Sequence, residues 1–364
     1  MTYEFFIIGG GIHGLAIGYE LIKKGYKVAL AEAKYIGYGS SGRCFGGIRT
    51  LHDNEDDTIL AKISRNIWVK LTHELRHNLL IRKTPYIFLI PHNKEKISKM
   101  EKMLSLARKY NISAKVFTPT NLEIPFLTCK GIYFAVVHQE ALSAHPHYVL
   151  EAYKEEALKH GLELYTYTKI TDIKKQNNIF RLISDSKKQF KADNIIITAG
   201  SGSQKLLNIL GYDYKFRIIK REAIVTEPIK KIIQSVIVAP EIAITQTARG
   251  EILADYYGVD IYTTPDDLSI SINSIKIIAK RLLDLFPKLS NLCVIRGWAG
   301  HYVASPDRKP IIGGINDIYL SVGWEHHGFM LAPAVSRLLT KLILYNKVDK
   351  VLEPYLPTRF NKNY

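Results

Sequence analysis

A glycine turn between an apolar strand and a helix, a second strand ending on an acid, and two strand-rich stretches interrupting an otherwise alternating chain predict an α/β fold class. The expected architecture is a Rossmann-like nucleotide domain with a mostly parallel sheet, carrying an inserted, mainly antiparallel β-sheet that makes an α+β second domain. A chain of 364 residues has room for both. Residues 1–80, 141–215 and 291–364 are expected in the nucleotide domain, and 81–140 and 216–290 in the inserted, substrate-side domain.

The first element is Tyr3-Glu4-Phe5-Phe6-Ile7-Ile8, whose aromatic and β-branched residues suit a strand covered on both faces. It runs into Gly9-Gly10-Gly11-Ile12-His13-Gly14, a G-x-G-x-x-G pattern, after which Leu15, Ala16, Tyr19, Leu21 and Ile22 keep helical spacing as far as Gly25. Lys27-Val28-Ala29-Leu30-Ala31 reads as the second strand and ends on Glu32 and Ala33. Each position has its own reason. Gly9 permits a tight turn, Gly11 lets backbone approach a pyrophosphate, and Gly14 lets helix and strand pack closely. The helix N-terminus offers N–H groups to phosphate, and Glu32 can accept from the hydroxyls of an unphosphorylated ribose. His13 reads as a helix-face spacer.

The stretch from Gly37 to Arg49 is rich in glycines and hydroxyls, which let backbone wrap an extended ligand. Residues 83–90 and several runs between 216 and 262 read as strands, and 97–110 and 272–286 as amphipathic helices; these supply the inserted domain. Pro146 opens a helix that runs to Gly161. Residues 162–165 and 179–184 read as strands, and 192–198 as a buried strand entering the small residues Ala199 and Gly200. Then come Arg296-Gly297-Trp298-Ala299-Gly300-His301-Tyr302, a turn from Pro306 to Gly313, and a strand at 318–322. Gly323-Trp324-Glu325-His326-His327-Gly328-Phe329-Met330 leads into the last helix.

In these blocks and their order the sequence resembles the D-amino-acid oxidase-like family of FAD-dependent amine oxidoreductases, the group of sarcosine oxidases, glycine oxidases and the β subunits of sarcosine oxidase and dye-linked proline dehydrogenase. The resemblance implies FAD along Gly9, Gly11, Ile12, His13, Gly14, Glu32, Ala33, Ser40, Ser41, Arg43, Cys44, Gly46, Gly47, Ile48, Ile170, Ala199, Gly200, Gly297, Gly313, His327, Gly328, Phe329 and Met330. It places Arg49 where the family holds a substrate carboxylate, a task suited to the planar guanidinium fork. Arg49 is thus the expected catalytic and substrate-binding residue, with His301 and Trp324 as further substrate contacts. Met330 stands where sarcosine oxidase carries a second, lysine anchor, and Gly300 where it carries the cysteine bonded to flavin, so noncovalent FAD is expected. The implied reaction is oxidation of a small amino acid or secondary amine of the proline, sarcosine or glycine kind, by hydride transfer from its α-carbon to flavin N5 and hydrolysis of the imine. Oxygen or a carrier would accept the electrons, and a second subunit fits the β-subunit likeness.

Composition narrows the alternatives. Lys and Arg number 50 against 34 Asp and Glu, a net charge of +16 that favours anionic partners. The positive charges are spread along the chain without a basic tail or aromatic-interleaved patch, so no nucleic-acid partner is expected. Cys44, Cys129 and Cys293 form no C-x-x-C pair, which predicts neither a metal site nor a disulfide framework and fits reduced thiols in the cytoplasm. The first residues lack a basic leader and cleavage site, and no uninterrupted apolar run reaches about 18 residues, so no stable membrane insertion is expected. Three readings stay open beside the amine oxidoreductase: an FAD-dependent dehydrogenase of a hydroxy acid or glycerol phosphate, a flavoprotein subunit of a larger electron-transfer complex, and a colourless NAD(H)-dependent dehydrogenase.

Overall fold

Tyr3–Ile8 is an inner strand of an eight-stranded sheet because both its faces are covered: Phe6 and Ile7, which point opposite ways, are each 0% exposed. The computed structural model describes residues 2–360; residues 1 and 361–364, at the outer ends of the expected nucleotide domain, lie outside the described residues. Val28–Ala31 and Gln189–Ile197 flank Tyr3–Ile8 in parallel. Glu163–Tyr165 pairs beyond Val28–Ala31, and Ile318–Val322 runs parallel to the second half of Gln189–Ile197. The hairpin Ile170–Gln176 and Ile179–Ser184 adds antiparallel strands beside Gln189–Ile197. The end of the turn expected from Pro306 to Gly313 instead enters the strand Ile311–Ile315, because Ile311 and Ile312 are both fully buried, on opposite faces of the sheet and in two different cores.

The helix Ile12–Ile22 is buried nearly all round, packed between Gly328–Tyr345 and Pro146–Lys159. It ends at Ile22, short of Gly25, whose φ of +87° completes the turn into Val28–Ala31. Gly328–Tyr345 is long and apolar enough to cross a membrane, although Arg337 and Lys341 interrupt it, and 61% of it is buried within the fold. Its apolar faces pack on Ile12–Ile22 and on Glu55–Leu75.

The second sheet also has eight strands, in the order Val294–Ala304, Arg217–Pro228, Glu251–Tyr262, Ile242–Gln246, Val236–Ala239, Tyr86–Pro91, Ile132–His138 and Ala114–Phe117. Its pairs are antiparallel except Val236–Ala239 with Tyr86–Pro91. Val294–Ala304 corrects an expected boundary. Grouped by sequence with the nucleotide domain, it is hydrogen-bonded along Arg217–Pro228 from Ala304 opposite Arg217 to Val294 opposite Thr226. The helices Lys94–Lys109 and Ile272–Leu285 lie within a few residues of their expected ranges and cover this sheet.

Directly opposed residues of neighbouring strands share a sheet face. Trp298, Ala223, Asp255, Ala243, Val238 and Phe88 form one such row across six strands. The alternate residues Ile224, Ala254 and Ile244 face the other way and pack under Ile278 and Leu282 of Ile272–Leu285. A three-stranded sheet of Gly47–Ile48, Leu142–Ser143 and Arg82–Lys83 ties the loop before Arg49 to both larger sheets.

Candidate active site

The Gly9–Gly14 turn leaves no room for side chains. Gly9 has φ +116°, and a Cβ there would lie 2.5 Å from the Thr198 carbonyl oxygen; a Cβ on Gly14 would lie 2.0 Å from the Gly9 carbonyl oxygen. Thr198 Oγ donates to that Gly9 carbonyl at 2.9 Å, so the end of Gln189–Ile197, with Ala199 and Gly200 beyond it, is pinned to the turn. Gly11 begins Ile12–Ile22 with no side-chain cap and no acid in the first turn, which leaves the positive end of the helix for an anion. Glu32 and Ser41 reach the same place. Glu32 accepts from the N–H of Gly10 at 2.7 Å and of Lys34 at 2.9 Å, and Ser41 Oγ accepts from the Ile12 N–H at 3.1 Å.

A second helix N-terminus, that of Gly328–Tyr345, is joined to the first through His13. His13 Nε2 donates to the Gly328 carbonyl at 2.8 Å, and Nδ1 accepts from Ser321 Oγ at 3.0 Å. Trp324 Nε1 donates to the same Ser321 oxygen at 3.2 Å, and its ring stacks on His13 at 4.2 Å. Burial pushes the His13 pKa down to about 3, so it bridges the two helices as a neutral ring. His13 is therefore more than a spacer. Trp324, expected at the substrate, is occupied as its stacking partner and lines neither of the cavities described below.

Between the 40–49 loop, the N-terminus of Gly328–Tyr345 and the second sheet lies a cavity of about 880 Å³. Arg49 forms part of its wall. Its Nη1 donates to the Leu51 carbonyl, and its Nη2 donates to His327 Nε2 at 3.2 Å. The His52 ring meets His327 edge-on at 4.8 Å, with its own Nε2 buried and unpartnered. Burial, reinforced by their proximity to each other and to Arg49, holds His52 and His327 well below the usual imidazole range. Both are neutral at neutral pH, and Arg49 is the fixed cation among them. The carboxylates that act on it are Asp53, itself paired with Lys99 at 2.8 Å, and Asp57, in the first turn of Glu55–Leu75, whose carboxylate accepts from Tyr355 at 2.7 Å and from Asn54 Nδ2 at 2.7 Å. His52, Asp57 and His327 bring potential ligand atoms within 4.8 Å of one another, but Arg49 donates to His327 Nε2 and opposes a metal cation there.

The loop is thinned to glycine where the wall requires it. Gly46 has φ +71°, and a Cβ on Gly47 would sit 1.7 Å from Tyr86 Oη, so that hydroxyl lies directly over the loop. Ile48 is buried beneath, and Phe329 and Met330 line the cavity. The Met330 carbonyl is fixed by Ser64 Oγ at 2.6 Å and Trp68 Nε1 at 2.8 Å. Cys44 also lines the wall, where burial pushes its thiol up to about 12.

Other expected contacts are placed differently. Arg43 spends its guanidinium on the carbonyls of Tyr38 at 2.7 Å and Ala299 at 3.0 Å, and Ser40 Oγ donates to the His301 carbonyl at 2.5 Å. His301 borders the cavity, but its Nε2 donates to the Asp267 carbonyl at 2.7 Å. Gly297 turns away from the cavity, since a Cβ there would strike Ile270, and Gly313 packs against Pro357. Ile170 is buried at the start of its hairpin. Residues missed by sequence reasoning are His52, Asp57, Tyr86, Tyr302 and Asp255. The period-two spacing of Trp298, Gly300 and Tyr302 on one strand carried a signal for Tyr302; Asp255 carried none. A second cleft of about 620 Å³ shares Phe45 and Trp298 with the first.

These features fit FAD: a side-chain-free turn at one helix N-terminus, a strand-end acid beside it, and a glycine-thinned cavity at the other. Gly300 leaves open space, a Cβ there meeting only Arg43 at 3.5 Å and beyond. The chain is 23% identical to the sarcosine oxidase subunit beta of Rhizobium meliloti, an alignment covering 100% of this chain and 89% of that one. It is 24% identical to the glycine oxidase of Bacillus subtilis, covering 96% and 95%. Among solved structures, the L-proline dehydrogenase from P. horikoshii superposes with a TM-score of 0.90 and 28% identity over 99% of this chain and 98% of that one. The FAD dependent oxidoreductase (DAO) family model matches residues 4–342, a span running from the first strand into the Gly328–Tyr345 helix and so taking in both helix N-termini of the site. The chain belongs to the FAD dependent oxidoreductase family and is an FAD-dependent enzyme.

Proposed function

We propose that the protein oxidises a small amino acid or secondary amine of the proline, sarcosine or glycine kind, with the substrate carboxylate held by Arg49. The carrying observation is the position of Arg49: a partly buried guanidinium on the cavity wall, bonded to a carbonyl and a neutral imidazole and ion-paired with no carboxylate among the described residues. An anionic ligand group completes such a site. Bound FAD supplies the two-electron acceptor for a hydride from the substrate α-carbon, and water hydrolyses the imine so formed. The protein's share is positioning. Arg49 fixes one end of the substrate, His52 and His327 stay neutral beside it, and Phe88, Met330 and Trp298 give the cavity apolar surface that excludes bulk water. The His327-capped helix N-terminus adds a fixed positive end. FAD is held without a covalent bond in this reading, because Gly300 offers no nucleophile and the Cys44 thiol is protonated at neutral pH.

The test is an anaerobic screen of the purified yellow chain, with proline, sarcosine, glycine, D-amino acids, hydroxy acids and glycerol phosphate read by flavin bleaching. Bleaching by an α-amino acid or its N-methyl form, with FAD released on denaturation, supports the proposal. Bleaching only by a hydroxy acid or glycerol phosphate overturns it in favour of alcohol oxidation. A partner-dependent enzyme has its own support, since the Rhizobium meliloti relative is by name a subunit and is matched over the whole of this chain. That arrangement predicts a yellow chain that no compound of the screen reduces.

A further inference from the structure

We propose that Asp255 is a second recognition group in the Arg49 cavity, accepting from a hydrogen-bond donor, hydroxyl or ammonium, that the substrate carries at the end remote from its carboxylate. The inference rests on the amino-acid reading above and adds a substrate class to it. In the row Trp298, Ala223, Asp255, Ala243, Val238 and Phe88, every member lines the cavity and Asp255 alone is charged. Its direct neighbours across the two adjoining strands are both alanines, Ala223 and Ala243. Opposed residues in a sheet have Cβ atoms only about 5 Å apart, so two alanines leave a notch with the carboxylate between them.

Asp255 makes no ion pair among the described residues, and its Oδ1 is buried without a hydrogen-bond partner. The groups that face it leave Oδ1 unsatisfied: the Arg221 guanidinium attracts Asp255 while its own Nε is buried without a partner, and the others are uncharged. Arg221 gives Nη2 to Asp260 at 2.5 Å and Nη1 to the Val259 carbonyl at 2.7 Å, and Tyr257 gives its hydroxyl to the Ala239 carbonyl. Tyr86 and Tyr302 line the same cavity and act electrostatically on both Arg49 and Asp255. Burial pushes the Asp255 carboxyl up to about 6 against the pull of Arg221 and of the Ala243 and Asp255 backbone N–H groups, and Oδ1 is left without a donor. A buried charge without a partner is costly. A ligand that reached from Arg49 across the cavity and ended in a donor would remove that cost.

The experiment uses the FAD-loaded protein and reads binding from the shift of the visible flavin absorbance. Three straight-chain carboxylate series of three to six carbons are titrated: unsubstituted, ω-hydroxy and ω-amino. None carries an α-amine, so binding is measured apart from the proposed oxidation; failure of the amine reading is seen separately, as α-amino acids that bleach nothing. At one chain length the ω-substituted acid should bind about tenfold or more tighter than its unsubstituted partner, the range for a hydrogen bond to a charge. Preference for the ω-amino over the ω-hydroxy acid at that length identifies the donor as ammonium, and the reverse as hydroxyl. Asp255→Asn should bring the preference, read as the ratio of the two Kd values, near unity. Ala243→Leu, which fills the notch from the next strand, should do the same and serves if Asp255→Asn does not fold. Equal affinity of substituted and unsubstituted acids at every length, or a preference that survives both substitutions, overturns the proposal.

Discussion

Among the described residues Arg49 has no carboxylate bonded to it, unlike several other cations around the cavity. Lys99 is paired with Asp53 at 2.8 Å, Lys309 with Asp56 at 2.9 Å, and Arg308 with Glu325. Burial lowers the proton affinity of Arg49, yet a guanidinium stays charged in proteins, so its full charge faces the cavity. Arg49→Lys keeps the charge and loses the planar fork. KM for carboxylate-bearing substrates should rise about 10- to 100-fold while kcat changes less, and the shift should vanish for amines lacking a carboxylate. Equal KM values in steady-state kinetics of the two proteins would remove Arg49 from substrate binding. Gly47 is constrained more simply. A Gly47→Ala methyl would lie 1.7 Å from Tyr86 Oη and 2.9 Å from Cζ, so activity should fall sharply and recover in part when Tyr86→Phe removes the closer atom. No recovery in the double variant would show that the loop itself, not the tyrosine, is intolerant.

At the scale of elements, the site depends on two helix N-termini being held together, and His13 does this. His13→Leu keeps bulk but leaves the Gly328 carbonyl and the Ser321 hydroxyl without their buried partner. Stability should fall by about 1–3 kcal/mol, read as a lower urea midpoint at unchanged m, and FAD should dissociate more readily. An unchanged midpoint would make the network dispensable. This coupling also marks the limit of what sequence shows. The Gly9–Gly14 turn, Glu32 and the helix after Pro146 were legible because their signals lie within a few residues of chain: a glycine spacing, a strand end, a proline at a first turn. Arg49 was singled out only through likeness to a family. Val294–Ala304 was misplaced because the partner that decides its sheet, Arg217–Pro228, is remote in sequence. The stack of Trp324 on His13 was hidden for the same reason, since the two lie near opposite ends of the chain. Asp255 looked like an ordinary strand residue, and only the register that sets Ala223 and Ala243 on either side exposes it.

Across the whole molecule, the two sheets bury a set of histidines in neutral form, and this fixes how stability depends on pH. His13, His52, His138 and His327 all have pKa values depressed mainly by burial, to about 3 for His13 and about 4 for His138. In the unfolded chain each would titrate near its ordinary value of about 6.5. Below that pH the unfolded state binds more protons than the folded one, so stability is complete above about pH 6.5 and is lost as pH falls toward the folded values. Each such group removes up to about 1.4 kcal/mol per pH unit. Asp255 works in the opposite sense: its folded pKa of about 6 lies above the unfolded one, so its ionisation costs stability as pH rises through about 4 to 6. Glu20 and Glu325, also raised by burial, act as Asp255 does, but His145, His301 and His326 are depressed as well, so the histidines outnumber the carboxyls. The Tm of the FAD-loaded protein should therefore drop steeply between pH 6.5 and 5, with little change from 6.5 to 8. His52→Gln, which removes a ring whose Nε2 has no partner, should make that drop shallower by about one group's share. A Tm that is level from pH 5 to 8, or a His52→Gln profile as steep as the parent's, would mean that these histidines are not held neutral by the fold, and that the fixed charge beside the cavity is not Arg49's alone.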